Sequence, residues 1–373
     1  MYGKLTLDAS ENLYVSGGFS GSKQIGSTTL VSAGGIDGYV AKLDGNGSVL
    51  WATRWGGVND ESGWEMDFDS SGNIITGGLR LNPTTNARLG VNVAKLNSSG
   101  TTLWTKYVAT YSPSIPGKGS FNLAADSSGG VVIVGDFTGR IDFDPSSKSY
   151  FASTGSYSQW ASYVLNLDAS GRFKWVKTFV GTGGTAYNDA KAVDVDAAGN
   201  IVVGGRFSGS VDFKSGSGTS ILSDSGAGAN YVTKLNANGG FVWAKAFGGG
   251  TTSADTSFLY SLALDNTGSI YVAGYFKGTV DFDPTSSVQN RTATVGGTDM
   301  YVLSLNSSGS LSWFETIGGG NLLPQSIDVG ADGSIYIAGR FNGAVDFDPG
   351  TNEHILTTNG TVNKGFVIRW RRT

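Results

Sequence analysis

A long internal repeat constrains this chain of 373 residues more than any other feature. Residues 265–284, DNTGSIYVAGYFKGTVDFDP, recur closely from Asp126, Asp196 and Gly330, and more weakly from Asp8 and Asp69. Each copy aligns on a glycine that precedes an aromatic or apolar residue by two positions. Repeats of this length are typical of solenoids, propellers and arrays. The aligned glycines are Gly17, Gly77, Gly135, Gly205, Gly274 and Gly339.

Each repeat carries four strand-like segments, which we call A, B, C and D. Segment A alternates apolar residues and ends in an Asp-x-x-Gly turn, whose glycine supplies the left-handed residue of a tight hairpin. Segment B is almost entirely apolar, as expected of a strand buried on both faces. Segment C ends in a second tight turn, and segment D carries Trp51, Trp104, Trp175, Trp243 or Trp313.

Four antiparallel strands in each of six copies predict an all-β fold, a six-bladed β-propeller of mostly four-stranded antiparallel blades. A sandwich pair would not explain six equal copies, and a β-solenoid should have shorter and stricter coils. We therefore expect one domain over residues 1–373. Its approximate repeats are 5–60, 61–118, 119–190, 191–258, 259–323 and 324–373.

Residues 34–57, GGIDGYVAKLDGNGSVLWATRWGG, followed by DSSGNIITGG at 69–78, resemble the SBBP-type β-propeller repeat of bacterial secreted and surface proteins. The resemblance covers essentially the whole chain and implies the fold, but the family has no common catalytic residues. The copies here are longer than usual because of the Val-Asp-Phe-Asp-Pro corner. The family is often seven-bladed, whereas this chain has six copies.

Composition excludes several classes of protein. Without cysteine there are no disulfides and no thiolate metal sites. A net charge of −4 argues against a nucleic-acid surface. No apolar run is long enough for a membrane span, and Met1 leads directly into repeat material, so we expect no signal peptide in this chain. The low charge content and many small polar residues favour a secreted or cell-surface bacterial protein over a cytoplasmic one.

The variable connections, D to A and B to C, fall on one side of the predicted disc, and loops on a rigid scaffold commonly carry function. Aromatic, amide and acidic side chains in them suit a glycan or a protein ligand. The alternative is that the aromatics only pack beneath the loops and the acids only solvate them. The candidates are Asp60, Glu61, Trp64, Tyr111, Tyr187, Asn188, Asp189, Asp255, Phe258, Tyr260, Asn321 and Gln325.

The Asp-Phe-Asp-Pro corners offer a second kind of candidate. Residues i and i+2 of a strand point the same way, so each acid pair could share a Ca²⁺ ion. The alternative is a structural corner, since aspartate before proline is common in turns. The fourth repeat favours the corner, because Lys214 follows Asp212 there. The pairs are Asp142 and Asp144, Asp281 and Asp283, and Asp346 and Asp348.

Catalysis has little support in the sequence. His354 is the only histidine, so a histidine metal cluster is excluded and a catalytic triad is disfavoured. Glycoside cleavage needs two carboxylates across a cleft, which Asp60, Glu61, Asp189 and Asp255 could supply. We therefore interpret the chain as a non-enzymatic binding module with a glycan or protein ligand. A polysaccharide-processing enzyme and a structural subunit of a surface assembly are the alternatives.

The last repeat has segments A to C but no tryptophan-bearing segment D. We expect a three-stranded sixth blade, because too few residues precede the first segment A to supply the missing strand. The edge between Phe366 and Trp370 would then invite strand addition by a partner or a second subunit. Alternatively, Arg369, Arg371 and Arg372 guard that edge.

Overall fold

The computed structural model describes residues 3–8, 10–111, 119–156, 158–182, 187–250, 252, 254–294, 296–348, 350, 353–359 and 362–371, without the side chains of 63, 64 and 225–227. Within these ranges the regular structure consists of β-strands and no helix. The chain divides into two compact units, residues 1–158 with 162–178, and residues 159–161 with 179–373. The predicted all-β class is confirmed.

The first unit contains three four-stranded antiparallel sheets, each formed by consecutive segments A to D. A small third-repeat sheet adds β9, β12 and β13. The strands are β1 (Leu5–Leu7), β2 (Leu13–Ile25), β3 (Thr28–Leu43), β4 (Val49–Trp55), β5 (Asp60–Phe68), β6 (Ile74–Leu81), β7 (Arg88–Leu96), β8 (Thr102–Val108), β9 (Thr110–Tyr111), β10 (Phe121–Ala125), β11 (Val131–Phe137), β12 (Arg140–Asp142), β13 (Phe151–Ser153), β14 (Ala161–Leu167) and β15 (Phe173–Val180).

The second unit contains the fourth, fifth and sixth sheets, built in the same order. Its strands are β16 (Tyr187–Val195), β17 (Ile201–Asp212), β18 (Ile221–Leu235), β19 (Phe241–Phe247), β20 (Thr256–Leu264), β21 (Ile270–Lys277), β22 (Thr279–Asp281), β23 (Asn290–Thr292), β24 (Asp299–Leu305), β25 (Leu311–Ile317), β26 (Gly320–Val329), β27 (Ile335–Asp346), β28 (Ile355–Thr357) and β29 (Lys364–Trp370).

The sheets within each unit pack face to face. β5 contacts β2 and β3, and β10 contacts β5 and β6; in the second unit β20 contacts β16 to β18, and β26 contacts β20, β21 and β24. The B and C strands are consequently buried on both faces, as β11 and β14 are along their whole length. This two-sided burial explains the apolar runs of segments B and C.

The A–B turns are closed by aspartate, as the sequence predicted. In the second sheet the Gly72 N–H donates to the Asp69 carbonyl, and Asp69 Oδ1 accepts the N–H groups of Ser71 and Asn73. The first turn has Glu11 in place of this glycine, and Glu11 adopts a left-handed φ of 60°. The position therefore requires a left-handed residue in both forms.

A lysine near the end of strand C reaches back to the turn aspartate in three sheets. Lys95 Nζ lies 2.7 Å from Asp69 Oδ2 with both side chains buried. The same pairing joins Lys42 to Asp8 and Lys234 to Asp196. These cations satisfy a carboxylate at the sheet surface. Despite burial, the pKa of Asp69 is lowered first by Lys95, and the pKa of Asp196 is lowered first by the hydrogen bonds from Asn200 and then by Lys234.

The D-strand tryptophans join neighbouring sheets. The indole N–H of Trp51 donates to the Ser98 carbonyl in the C–D turn of the next sheet, at 3.2 Å. Trp104 bonds in the same way to Ala169, and Trp243 to Ser307. A side chain at the turn glycine would collide with the indole, since a Cβ at Gly100 would lie 2.7 Å from Trp51. The indole-to-turn contact adds to the left-handed φ of 72° to 82° that all five C–D turn glycines share.

The B–C connection of five sheets is a two-stranded arm. In the first and fourth sheets the arm is the extension of the paired strands β2–β3 and β17–β18, and in the sixth it is the end of β27 paired with β28. In the third and fifth sheets the arm consists of the separate short strands β12–β13 and β22–β23. The Asp-Phe-Asp corners lie at the tips of these arms.

The sixth sheet has β26, β27 and β29 side by side, while β28 pairs with the far end of β27. No strand in the described residues pairs with the other edge of β29. Of the expected guards, Arg369 lies 2.8 Å and Arg371 4.0 Å from Asp332, and Arg372 lies outside the described residues.

The aligned glycine marks a close approach between strands. A Cβ at Gly135 would lie 2.7 Å from the Ser120 carbonyl oxygen and 2.8 Å from the Tyr163 hydroxyl. At Gly274 it would overlap the Phe258 carbonyl and lie 2.5 Å from the Tyr301 hydroxyl. Here strand A and an aromatic ring of strand C crowd strand B, which leaves no room for a side chain.

Gly274→Val should therefore destabilise the fold by about 3 kcal/mol, because strand A and Tyr301 must move apart. Chemical denaturation measures the loss. Gly45→Val is the matched control, since nothing lies within 4 Å of a Cβ at Gly45 and its φ is not left-handed. Equal stability of the two variants would contradict the close approach.

Candidate functional site

Two predicted loop-face residues, Phe258 and Tyr260, come together in the second unit, at the start of strand A and beside the end of strand B of the fifth sheet. Phe258 stacks on Tyr275 with ring centroids 4.9 Å apart and an angle of 21°. The Tyr260 ring lies 5.7 Å from the Tyr275 ring, and the Arg206 guanidinium lies 4.2 Å from the Phe258 ring centroid. We call these four residues, Arg206, Phe258, Tyr275 and Tyr260, the aromatic stack.

The sheet register produces the aromatic stack. Phe258 and Tyr275 are directly opposite each other in β20 and β21, so the rings share one face of the fifth sheet. Tyr260 is exposed over 42% of its surface, whereas the other three are half-buried. The stack is therefore most accessible at Tyr260.

A second aromatic pair adjoins the stack through Asp189. The Tyr187 hydroxyl donates to Asp189 Oδ2 at 2.6 Å, and the Tyr187 ring lies 6.1 Å from the Trp160 ring. Asp189 Oδ1 accepts the backbone N–H of Arg206, and Lys191 Nζ lies 2.9 Å from Oδ2. Asp189 is thus occupied in positioning the first residue of the aromatic stack.

Sequence reasoning missed Trp160, Arg206 and Tyr275. Arg206 and Tyr275 occupy the position between the aligned glycine and the following apolar residue. That position varies along the chain in an otherwise constant motif, a signal that could have identified it. Its six occupants are Gly18, Gly78, Asp136, Arg206, Tyr275 and Arg340.

Other predicted site residues have structural roles or lie apart. Asn188 is fully buried, and its amide donates to the Phe179 carbonyl at 3.0 Å. Asp255 accepts the N–H groups of Thr252 and Thr279 and so holds a turn. Asn321 and Gln325 are exposed on β26. The Trp64 side chain lies outside the described residues.

In the first unit, Glu61 forms a buried acid pair with Asp37. Glu61 is 1% exposed and Asp37 is not exposed. Asn92 Nδ2 donates to Glu61 Oε1, and Arg54 Nη1 lies 2.6 Å from Asp37 Oδ2. The other oxygens, Glu61 Oε2 and Asp37 Oδ1, are buried with no donor among the described residues, and both lie close to Gly56.

A proton held between the two carboxyls satisfies both oxygens. The pKa of Glu61 is raised to about 8, chiefly by burial; the hydrogen bond from Asn92 opposes this rise, and the negative charge and hydrogen bond of Asp37 contribute to it. A carboxyl pair in direct contact differs from glycosidase carboxyls, which lie about 5 Å or more apart across a cleft. Asp60, beside them, accepts the Ile36 N–H at 2.7 Å.

Tyr111 belongs to another buried polar cluster of the first unit. Arg88 Nη1 donates to the Tyr111 hydroxyl at 2.8 Å, and Arg88 Nη2 lies 3.3 Å from Asp136 Oδ2. Ser120 donates to Asp136 Oδ1 from both its backbone and its hydroxyl. Burial raises the pKa of Tyr111 to about 12. The cluster joins strands of two sheets and has a structural role.

The six corner aspartates are hydrogen-bonded to backbone. Asp281 Oδ1 accepts the N–H groups of Asp283 and Gln289, and Asp283 Oδ1 accepts that of Thr285. Asp142 with Asp144, and Asp346 with Asp348, repeat this arrangement. Asp212 makes the same two bonds although Lys214 follows it. The hydrogen bonds therefore form without a second acid.

Two further findings concern metals and membranes. Among the described residues, no group of three or more acidic, histidine or cysteine side chains is placed to hold a metal ion. No helix long and apolar enough to cross a membrane occurs in that part of the chain.

No protein-family model and no curated protein matches this chain. It is similar to a solved protein of unknown function from Dyadobacter fermentans, with 11% identity, 95% of this chain and 92% of that chain covered, and a TM-score of 0.49. It is also similar to a DUF4221 family member from Bacteroides vulgatus, with 12% identity, 91% of this chain and 87% of that chain covered, and a TM-score of 0.40. The alignment with the dihydro-heme d1 dehydrogenase NirN has 9% identity, covers 98% of this chain and 68% of that chain, and gives a TM-score of 0.37. Function is therefore argued from this chain's own residues.

The acid pair predicts a pH-dependent stability. Because the pKa of Glu61 is higher in the folded state, its contribution is fully present below pH 4.5 and is lost as the pH rises towards about 8. Glu61→Gln mimics the protonated acid, since its amide can donate to Asp37 and its carbonyl can accept from Asn92. The variant should match the wild type at pH 5 and be more stable by a few kcal/mol above pH 8.

Urea denaturation between pH 5 and 8.5 measures this difference. Glu65→Gln is the control, because Glu65 lies at the surface 3.3 Å from Lys4. If Glu61→Gln followed the wild-type pH profile throughout, Glu61 would not hold a proton at neutral pH.

The corners predict insensitivity to calcium. EDTA should leave the melting temperature unchanged, because the corner carboxylates already cap backbone N–H groups. Asp281→Ala should cost about 1 kcal/mol with or without calcium, the value of the lost hydrogen bonds. Asp212→Ala, at the corner with Lys214, should cost the same. A calcium-dependent loss at Asp281 alone would reverse the interpretation.

Proposed function

We propose that this protein is a non-enzymatic binding module whose ligand contacts the aromatic stack. The carrying observation is the stack itself: three rings and a guanidinium held in register, half-exposed, at the end of the sheets where the sequence varies. Rings fixed by one another lose little conformational entropy when a ligand binds. The stack is therefore suited to binding without further rearrangement.

The carboxylates give the enzyme alternative little support. Glu61 is buried against Asp37, and Asp60, Asp189 and Asp255 each accept backbone N–H groups. A general acid and a base must instead reach a substrate from two sides. A binding function does not require these carboxylates to be available to a substrate.

We further propose that the six sheets are the blades of one β-propeller of the SBBP type and that the protein is exported. The six aligned glycines, the four-stranded order in the first five repeats and the face-to-face packing within each unit support the propeller. The quoted repeat motifs support the family, and the family's members support a secreted or surface location.

The ligand that we favour is a glycan, because a sugar ring can stack on the exposed ring of Tyr260 while tyrosine hydroxyls offer hydrogen bonds. A protein ligand is the second candidate. Tyrosine, tryptophan and arginine are the residues that most often dominate protein interfaces, and all three types occur at or beside the stack.

A glycan array probed with the purified protein tests the proposal, followed by affinity measurements on any sugar found. Phe258→Ala and Tyr260→Ala should each weaken binding about tenfold or more. Tyr107→Ala is the matched control, since Tyr107 is also 42% exposed and also lies beside an arginine, Arg80. Binding that Tyr107→Ala weakens as much as Tyr260→Ala would place the ligand elsewhere.

A further inference from the structure

We propose that the free edge of β29 receives an extended strand from another polypeptide, which completes the sixth sheet. This site is separate from the aromatic stack. The incoming strand takes the position that strand D occupies in the other five sheets. Its chemistry follows from those five strands, which serve as templates within the same molecule.

One valine position shows that β29 is less covered than the C strands of the other sheets. Segment C has a valine at the equivalent place in all six repeats. Five of them have no exposed surface, whereas Val367 in β29 is 76% exposed. The five buried equivalents are Val40, Val93, Val164, Val232 and Val302. The β29 sequence is thus that of an inner strand, yet its edge and surroundings are open.

A groove runs along this edge, with a volume of about 530 Å³. Trp313 and Glu315 of β25 form one wall, Val367 and Arg369 of β29 form the other, and Phe347 lies between them. In the fifth sheet the equivalent corner residue, Phe282, stacks on Phe314 of its own D strand at 5.2 Å. The sixth sheet has the equivalent corner phenylalanine, Phe347, but no D strand beside it in the described residues.

Trp370 gives a second indication. It lines the same groove, and its indole N–H is buried with no acceptor among the described residues. Buried donors are rarely left unsatisfied, because an unmade hydrogen bond is costly. The backbone of an added strand carries carbonyl groups along its length that can accept this proton.

The register of the templates defines the occupant. In β18 and β19, Lys234 lies opposite Trp243 and Val232 lies opposite Lys245. By the same register, an added strand places its tryptophan opposite Arg369 and the residue two positions later opposite Val367. The fitting sequence is therefore apolar-x-Trp-x-Lys-x-apolar, as in residues 241–247, FVWAKAF.

Charge argues against a second copy of this chain as the occupant. Two antiparallel β29 strands would bring Lys364, Arg369 and Arg371 of both molecules to one seam, and like charges across a sheet edge are destabilising. A partner strand with acidic residues before its tryptophan would instead meet Arg371, which is exposed at the end of the groove.

A synthetic peptide with the sequence of residues 236–248, NANGGFVWAKAFG, is the probe. It should bind the full chain, and hydrogen exchange should slow in β29. Replacing the peptide's tryptophan by alanine should weaken binding about thirtyfold. Prolines at both of the residues after the tryptophan should abolish binding, since successive N–H groups point to opposite edges and one of them must donate to β29.

A charge swap tests the register. Val367→Lys should weaken binding about threefold, because it places a lysine opposite the peptide's lysine, and a peptide with glutamate there should restore it. Val58→Lys is the control, since Val58 is 74% exposed elsewhere. Absence of binding at millimolar peptide, binding without protection of β29, or a dimer that Val367→Lys dissociates would each overturn the proposal.

Discussion

Face-to-face packing of the sheets within each unit is the constraint on which this structure depends. A strand with neighbours on both faces leaves little room for unpaired polar groups, so the inner strands B and C are rich in apolar residues. Where polar side chains enter the packed layers they are paired, as Lys95 is with Asp69. The aligned glycine follows from the same crowding, because strand A and a strand C ring meet at its α-carbon.

The constraint also determines where variation is tolerated. Turns, glycines and tryptophan contacts repeat because each one fits a sheet to its neighbour. The residue after the aligned glycine lies where the packed layer ends, and it differs in character from sheet to sheet. Arg206 and Tyr275 meet Phe258 at this boundary, whereas Asp136 turns inward to Arg88. One scaffold position thus yields an exposed stack in one unit and a buried ion pair in the other.

The sequence was sufficient for features that repeat and insufficient for those that occur once. Strand order, tight turns and close approach at the glycines could be predicted because the same residues recur at the same places in several repeats. The pairing of Glu61 with Asp37 could not, since the two acids lie on different sheets and no local pattern joins them. Trp160 was missed for the same reason. The lysine that reaches the turn aspartate recurs, but its partner lies across an intervening strand, which periodicity alone does not reveal.

The indole-to-turn contacts have a consequence for synthesis of the chain on the ribosome. Each sheet is made of consecutive strands, so it can form as soon as its own repeat has emerged. Its outer tryptophan, however, bonds to a turn that is translated later: Ser98 follows Trp51 by 47 residues, and Ser307 follows Trp243 by 64. A nascent chain that ends soon after Trp51, Trp104 or Trp243 therefore carries an indole whose hydrogen-bond acceptor has not yet been translated, and translation of the next repeat supplies it.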